Sequence, residues 1–166
     1  SIVNAHRFIF DSRDDAADVR LDILNDKELA FRYKRAYFAL KTRINEKMWD
    51  PDRQFFFDLS EDESRVTSIK HLGAYWTLLS SIPDAEQGEH MIAYLQDPGI
   101  FGTENPFPVL SVDSPGFSEA GAGYKGSVVP FYTYMVIKGL EKYRQFIFSR
   151  ECAIRHMYYM LDTYQP

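Results

Sequence analysis

The sequence predicts an all-α fold: six helices paired into three antiparallel hairpins, in one domain spanning 1–166. Three observations predict it. Long segments repeat apolar residues at three- and four-residue steps, the period of one helix face. No run alternates strongly enough for a sheet; QFFFDL and FPVLSV are the strand candidates, each short and beside turn residues. Connections alternate between short ones, after residues 24, 80 and 143, and long ones over 49–63 and 97–126. That is the rhythm of an α/α solenoid or toroid whose long loops open on one face. No fixed repeat of about 34 residues runs through the chain, which excludes a tetratricopeptide array.

Taken in order, residues 2–24 read as a weak helix interrupted by DSRDDAAD. The next helix is KELAFRYKRAYFALKTRINEKMW, with Leu29, Tyr33, Ala36, Tyr37, Leu40, Ile44 and Met48 on one stripe, and Asn25 with Glu28 as its capping box. A third is expected over 64–80, started by Ser60 and Glu63, with Ile69, Leu72, Trp76 and Leu79 on one face. Ser81-Ile82-Pro83-Asp84 has capping-box form with proline in the first turn, opening a short helix to about Gln96. Ser127 and Pro130 set the start of the helix that ends near Tyr143. The last carries Ile147, Ile154, Met157, Tyr158, Leu161 and Tyr164 at helical spacing. The chain opens without Met inside a helical pattern, so further sequence is expected before Ser1.

Composition bounds the function. Hydrophobic residues at 45% and charged residues at 26% are those of a soluble globular domain. Aromatics stand at 16%, which fits either a large aromatic core or rings that line a site for flat-faced ligands such as sugars. The net charge of −5, with Lys and Arg scattered, lacks the basic stripe a nucleic-acid partner needs. No stretch approaches about 18 apolar residues, so no membrane span is expected, and no signal peptide is recognisable. Cys152 is the single cysteine, read as a packed thiol, and it leaves the compartment undetermined. His6, His71, His90 and His156 show no ligand spacing, so neither a metal nor a cofactor is expected. GAG at 121–123 lacks the strand before it and the lysine–hydroxyl pair after it that phosphate binding needs.

The strongest signal is the loop DPGIFGTENPFPVLSVDSPGFSEAGAGYKG over 97–126. A connection this long without structure of its own is usually functional. Pro98, Pro106, Pro108 and Pro115 stiffen it, and Phe101, Phe107 and Phe117 are placed to pin it to the core. It ends in Gly123-Tyr124-Lys125-Gly126, where a helix begins. Either Tyr124 to Gly126 cap a ligand mouth, or they are a glycine hinge before Ser127 and Pro130.

YLQDPGIF, PFPVLSVDSPGF and GYKGSVVPFYTYMVIKGLEKY, with INEKMWDPDRQFFFDL upstream, resemble the C-terminal half of the catalytic domain of glycoside hydrolase family 63 and its trehalase-like relatives. The resemblance runs from about Ile2 to Tyr164. It implies an (α/α)6 barrel, of which this chain supplies about half, and an inverting α-glycosidase acting on an α-linked oligosaccharide. It also implies a substrate-binding surface formed by Tyr124, Lys125, Gly126, Phe107 and Asp113. The sequence departs from the family's Y-W-[RK]-G pattern. Its tryptophan is absent between Tyr124 and Lys125, and a valine, Val128 or Val129, stands for the later one.

Inverting hydrolysis needs a general acid and a second carboxylate about 6.5–9.5 Å away to activate water. The family's acid and base motifs are both absent from these 166 residues, so the resemblance implies that the catalytic pair is supplied outside them. Among the acids on the candidate ligand-facing loops, Asp58 and Asp113 are the ones singled out as catalytic candidates, and a loop Asp is more often a turn or N-cap residue. The competing reading is a non-catalytic all-α module: a degenerate sugar-binding half-barrel, or a helical scaffold for protein contacts. Half a toroid leaves apolar edges open, so the remaining half of the barrel or a second copy is the expected protein partner.

Overall fold

The computed structural model describes residues 27–61, 67–121 and 123–164. The helix expected over 2–24, the Asn25 cap and Glu63 lie outside them. Five α-helices and one two-stranded ribbon make up the described chain, in line with a helical half-barrel. The first, α1, spans Lys27–Met48 and buries Ala30, Tyr37, Ile44 and Met48 on one stripe. It runs into a ribbon in which β1 (Trp49–Asp50) pairs antiparallel with β2 (Phe55–Phe56). The turn between them is closed by Asp50, whose Oδ1 accepts from the amides of Asp52 and Arg53 at 3.0 and 2.9 Å.

The next helix differs from its expectation over 64–80. Residues 67–71 are non-helical, a 3-10 turn covers Leu72–Tyr75, and α2 is only Trp76–Leu79. The reason is burial on every side. Leu72 through Ser80 are all buried, so this run is a plug through the core rather than one stripe of a longer surface helix. His71 caps the turn, its Nδ1 accepting from the amide of Gly73 at 2.9 Å.

α3 spans Ala85–Gln96, and its capping box is formed by Asp84 and Gln87, three residues later than Ser81. Ser81 has φ of +54°, which turns the chain before Pro83. The carbonyls exposed by that turn are taken up by α1. The Tyr37 hydroxyl lies 3.0 Å from the carbonyls of both Ser80 and Ser81, Lys41 donates to Ser81, and Asn45 to Ile82. α4 (Pro130–Lys142) starts with proline at its first position, as expected, and α5 (Phe146–Thr163) returns against it. Gly139 lets α4 cross α2 closely, since a Cβ there would sit 3.0 Å from the Leu78 Cβ and 3.3 Å from the Leu79 amide.

Part of the aromatic surplus builds the core, while as many rings among the described residues are exposed as are buried. Phe55, Phe56, Phe57, Tyr75, Phe101 and Phe107 are fully buried, and Phe55 touches the rings of Phe57, Tyr75, Tyr94 and Phe101. α5 is the opposite case. Its apolar stripe faces out, with Ile147 79% and Leu161 62% exposed, while Ser149, Cys152 and His156 point inward.

Candidate functional site

Each strand candidate keeps a short paired stretch, Phe55–Phe56 in the ribbon and isolated bridges at Pro108 and Leu110, and main-chain hydrogen bonds stitch them into a layered patch. Phe57 donates to Met48 at 2.9 Å, and Thr67 donates to Asp58 at 2.8 Å. Three residues further on, Ser111 donates to Lys70 at 3.1 Å and Leu72 to Val109 at 2.8 Å. Val109 in turn donates to Ser127 at 2.9 Å, with bridges at His71–Leu110 and Pro108–Val128. The loop after α3 is therefore an ordered surface, tied through 67–72 to the segment that follows the β-ribbon.

Asp113 sits at one edge of this patch. It accepts from the Lys70 ammonium and from the Ser111 hydroxyl, which also meets the Ser114 hydroxyl at 2.7 Å. Burial pushes the Asp113 carboxyl up, but the hydrogen bonds from Lys70 and Ser111 outweigh it and hold it below the usual carboxylate range. The same Lys70 nitrogen stands 5.7 Å over the Tyr94 ring. Arg53, on the ribbon, pairs with Asp50 and stacks 3.8 Å over Phe57. Both cations are committed to local partners.

Phe107 lies beneath the patch. It has φ of +73°, is fully buried, and meets the Phe148 ring edge-on at 6.4 Å, so it holds the loop up from below. Tyr124 is 68% exposed at the tip of a turn that the Ser118 amide closes on the Lys125 carbonyl at 2.6 Å. Lys125 is exposed beside it. Gly126 is required by contact: a Cβ there would fall 2.2 Å from the Ser118 carbonyl oxygen.

Two polar side chains meet where the 67–72 strip reaches the start of α4. The His71 and Tyr132 rings stand edge to face, 5.5 Å apart at 82°. Burial lowers the His71 pKa while the charge of Asp58 opposes that shift. Burial raises the Tyr132 phenol, and Tyr124 and Asp58 raise it further. Asp58 and Tyr124 were legible in the sequence as site candidates; His71 and Tyr132 were not. A histidine at the entrance to a buried run, and a tyrosine in the first turn after a long loop, are the signals that would have found them. Of the other sequence candidates, Asp113 is tied to Lys70 and Phe107 lies in the core.

Among the described residues no group of three or more His, Cys, Asp or Glu could hold a metal ion, and no helix is long and apolar enough to cross a membrane.

A family model described as the mannosylglycerate hydrolase MGH1-like glycoside hydrolase domain matches residues 14–164. An uncharacterized protein of Borreliella burgdorferi is 48% identical over 145 residues, covering 87% of this chain and 30% of that protein. The structure of GH63 mannosylglycerate hydrolase from Thermus thermophilus in complex with glucose superposes with a TM-score of 0.82 at 15% identity, over 97% of this chain and 37% of that one. Neutral trehalase Nth1 from Saccharomyces cerevisiae gives 0.67 at 18% identity, over 92% and 29%. Both structures are (α/α)6-barrel glycosidases, and at these identities the likeness is one of fold. The chain spans about a third of the length of the relatives it matches.

Proposed function

The chain belongs to the mannosylglycerate hydrolase MGH1-like glycoside hydrolase family, and from that premise we propose that it is the loop-bearing part of an inverting α-glycosidase acting on an α-linked oligosaccharide. The observation that carries the proposal is the stitched patch with Tyr124 at its rim. A 33-residue connection between Gln96 and Pro130 is held in one shape by main-chain bonds, as a ligand-facing surface must be. In this reading Tyr124 and Gly126 meet a sugar ring, Lys125 flanks it, and Phe107 and Asp113 fix the loop that presents them. The acid and base come from segments outside 1–166, since the chain spans about a third of its relatives and carries neither family motif. The exposed stripe of α5 is the face on which the rest of the toroid packs.

The test is turnover of aryl α-glucosides and α-linked disaccharides. The 166-residue chain alone is expected to show none, because acid–base assistance alone contributes about 10²- to 10⁴-fold. The protein with its flanking segments is expected to hydrolyse one of them with inversion. Robust turnover by the chain alone, abolished by Asp58→Asn or Asp113→Asn, would place the catalytic pair inside it and refute the assignment.

A second reading, a non-catalytic sugar-binding half-barrel or protein scaffold, is favoured by the missing tryptophan between Tyr124 and Lys125. It predicts sugar binding, or none, without hydrolysis by the complete protein.

A further inference from the structure

We propose that Phe131, in the first turn of α4, is the platform on which the apolar face of a pyranose ring stacks. The inference rests on the glycoside reading and goes further by naming the ring that bears the sugar.

The side chain is held out rather than folded in. Phe131 is 56% exposed, although a phenyl ring gains most from burial. Two neighbours brace it: the Trp76 ring meets it edge to face at 5.5 Å and 80°, and the Tyr132 ring stands 6.0 Å away at 66°. Trp76 in turn packs with Leu79 and Met135 in a small core of its own. A ring braced in this way has given up rotamer freedom before any ligand arrives, so stacking on it costs little entropy.

Its place is set from two directions by the stitched loop. Val128 bridges Pro108, Val129 is the N-cap of α4 and Pro130 its first residue, so Phe131 follows closely on the loop's last main-chain tie. From the other direction, the Tyr132 ring meets that of His71 at 5.5 Å, and His71 bridges Leu110. The exposed ring therefore stands at the edge of the ordered surface.

The extent of the patch selects its occupant. At three- and four-residue steps the outward stripe of α4 reads Phe131, Tyr134, Lys138 and Glu141. Its aromatic part is a single turn, about 5 Å of helix, which is the scale of one sugar ring. Beyond it Lys138 and Glu141 are paired with each other, and a second helix laid along this stripe would have to cover those charges. α5 shows the contrasting case. There Ile147, Ile154, Met157, Leu161 and Tyr164 are exposed along nearly the whole helix, as a stripe that packs against protein must be. A short aromatic step at a helix start, beside an ordered loop, fits instead the C–H face of a pyranose, which is apolar and uncharged.

The test uses the protein with its flanking segments. Phe131→Leu keeps an apolar side chain for any packing role and removes the ring face, whereas Phe131→Tyr keeps the face. Binding of methyl α-D-glucopyranoside and methyl α-D-mannopyranoside is measured by calorimetry, and the ring-proton signals of the glycoside are followed by NMR. With the parent, those signals are expected to move upfield on binding, as protons over an aromatic face do. Phe131→Leu is expected to melt within about 2 °C of the parent. It should bind the glycoside about three- to tenfold more weakly, the worth of one aromatic contact, and lose the upfield movement. Phe131→Tyr is expected to bind like the parent. Unchanged affinity or an unchanged upfield movement in Phe131→Leu overturns the inference and leaves the glycosidase reading standing. So does a larger fall in its melting temperature, which would show the ring packed against the rest of the barrel, or a loss of affinity in Phe131→Tyr equal to that in Phe131→Leu. Absence of binding of either glycoside by the parent overturns both.

Discussion

Replacing Gly126 by alanine tests whether the turn that presents Tyr124 is as tightly closed as its geometry says. The new Cβ would stand 2.2 Å from the Ser118 carbonyl oxygen and 3.1 Å from both the Ser118 carbonyl carbon and the Phe117 ring. Ordinary contact begins near 3.4 Å, so the carbonyl oxygen must retreat by about 1.2 Å, the difference between 3.4 and 2.2. It is main chain and cannot swing away alone. The same residue donates to the Lys125 carbonyl at 2.6 Å and accepts from the Gly121 amide at 3.0 Å. Overpacking of this kind costs about 1–3 kcal/mol, and each loosened hydrogen bond adds about 0.5–1.5 kcal/mol. Because the turn escapes by opening locally, roughly 2–4 kcal/mol is a reasonable figure for its closure rather than for the whole domain. Amide hydrogen exchange reads that directly: Ser118 and Gly121 should exchange roughly 30- to 700-fold faster in Gly126→Ala. Gly123→Ala is the control. Its φ is +64° but nothing lies within 4 Å of the added Cβ, so only the left-handed backbone penalty of about 1–2 kcal/mol applies. Ser118 exchange unchanged within about threefold in Gly126→Ala would refute the reasoning.

Two further outcomes follow from the inner face of α5. His156 is buried with neither ring nitrogen hydrogen-bonded, and burial lowers its pKa, so the unfolded chain takes up the proton first. Its contribution to stability is therefore present above the ordinary histidine value of about 6.5 and is lost as pH falls from there through the lower folded value. Denaturation midpoints at about pH 7.5 and about pH 5 should differ more for the parent than for His156→Leu, and an equal difference would contradict this. The Cys152 thiol is pushed up to about 12, first by burial and then by Glu151, with Arg155 opposing. Iodoacetamide at about pH 8 should leave the native thiol unmodified and label it in denaturant; full labelling of the native protein would show it accessible.

The sequence announced α1, α3 and α4 because each has a long period, a cap or a proline at the right place, and those are local signals. α2 was overestimated for the opposite reason. A run that is apolar on every side cannot reveal by period whether it is a helix, and here the core plugs it from Leu72 to Ser80. α5 gave its period correctly, yet the stripe that looked like a core face is the exposed one. Periodicity marks an apolar face without saying what covers it. Asp58 and Tyr124 stood out as candidates because they sit on loops beside aromatic and glycine residues. His71 and Tyr132 meet across pairings such as Leu72 with Val109 and Val109 with Ser127, which no local pattern records. In sequence Phe107 reads both as a pin of the loop to the core and as part of the sugar-binding surface, and its full burial and contact with Phe148 are those of a pin.

The stitching of the loop has a consequence for how such a surface changes over generations. The bonds that tie 108–112 to 70–72, to Ile100 and to Ser127 run from amide to carbonyl, and so are indifferent to which side chain each residue carries. The framework is specified by a few anchors below it, Phe107 and the Ser111–Asp113–Lys70 group among them, while the tip at Tyr124 bears no structural burden. Residues at that tip can be exchanged, a tryptophan for a lysine for instance, without loosening the frame that aims them. A scaffold of this kind separates the heritable shape of the site from its taste in ligands, and lets the second drift or be reselected while the first stays intact.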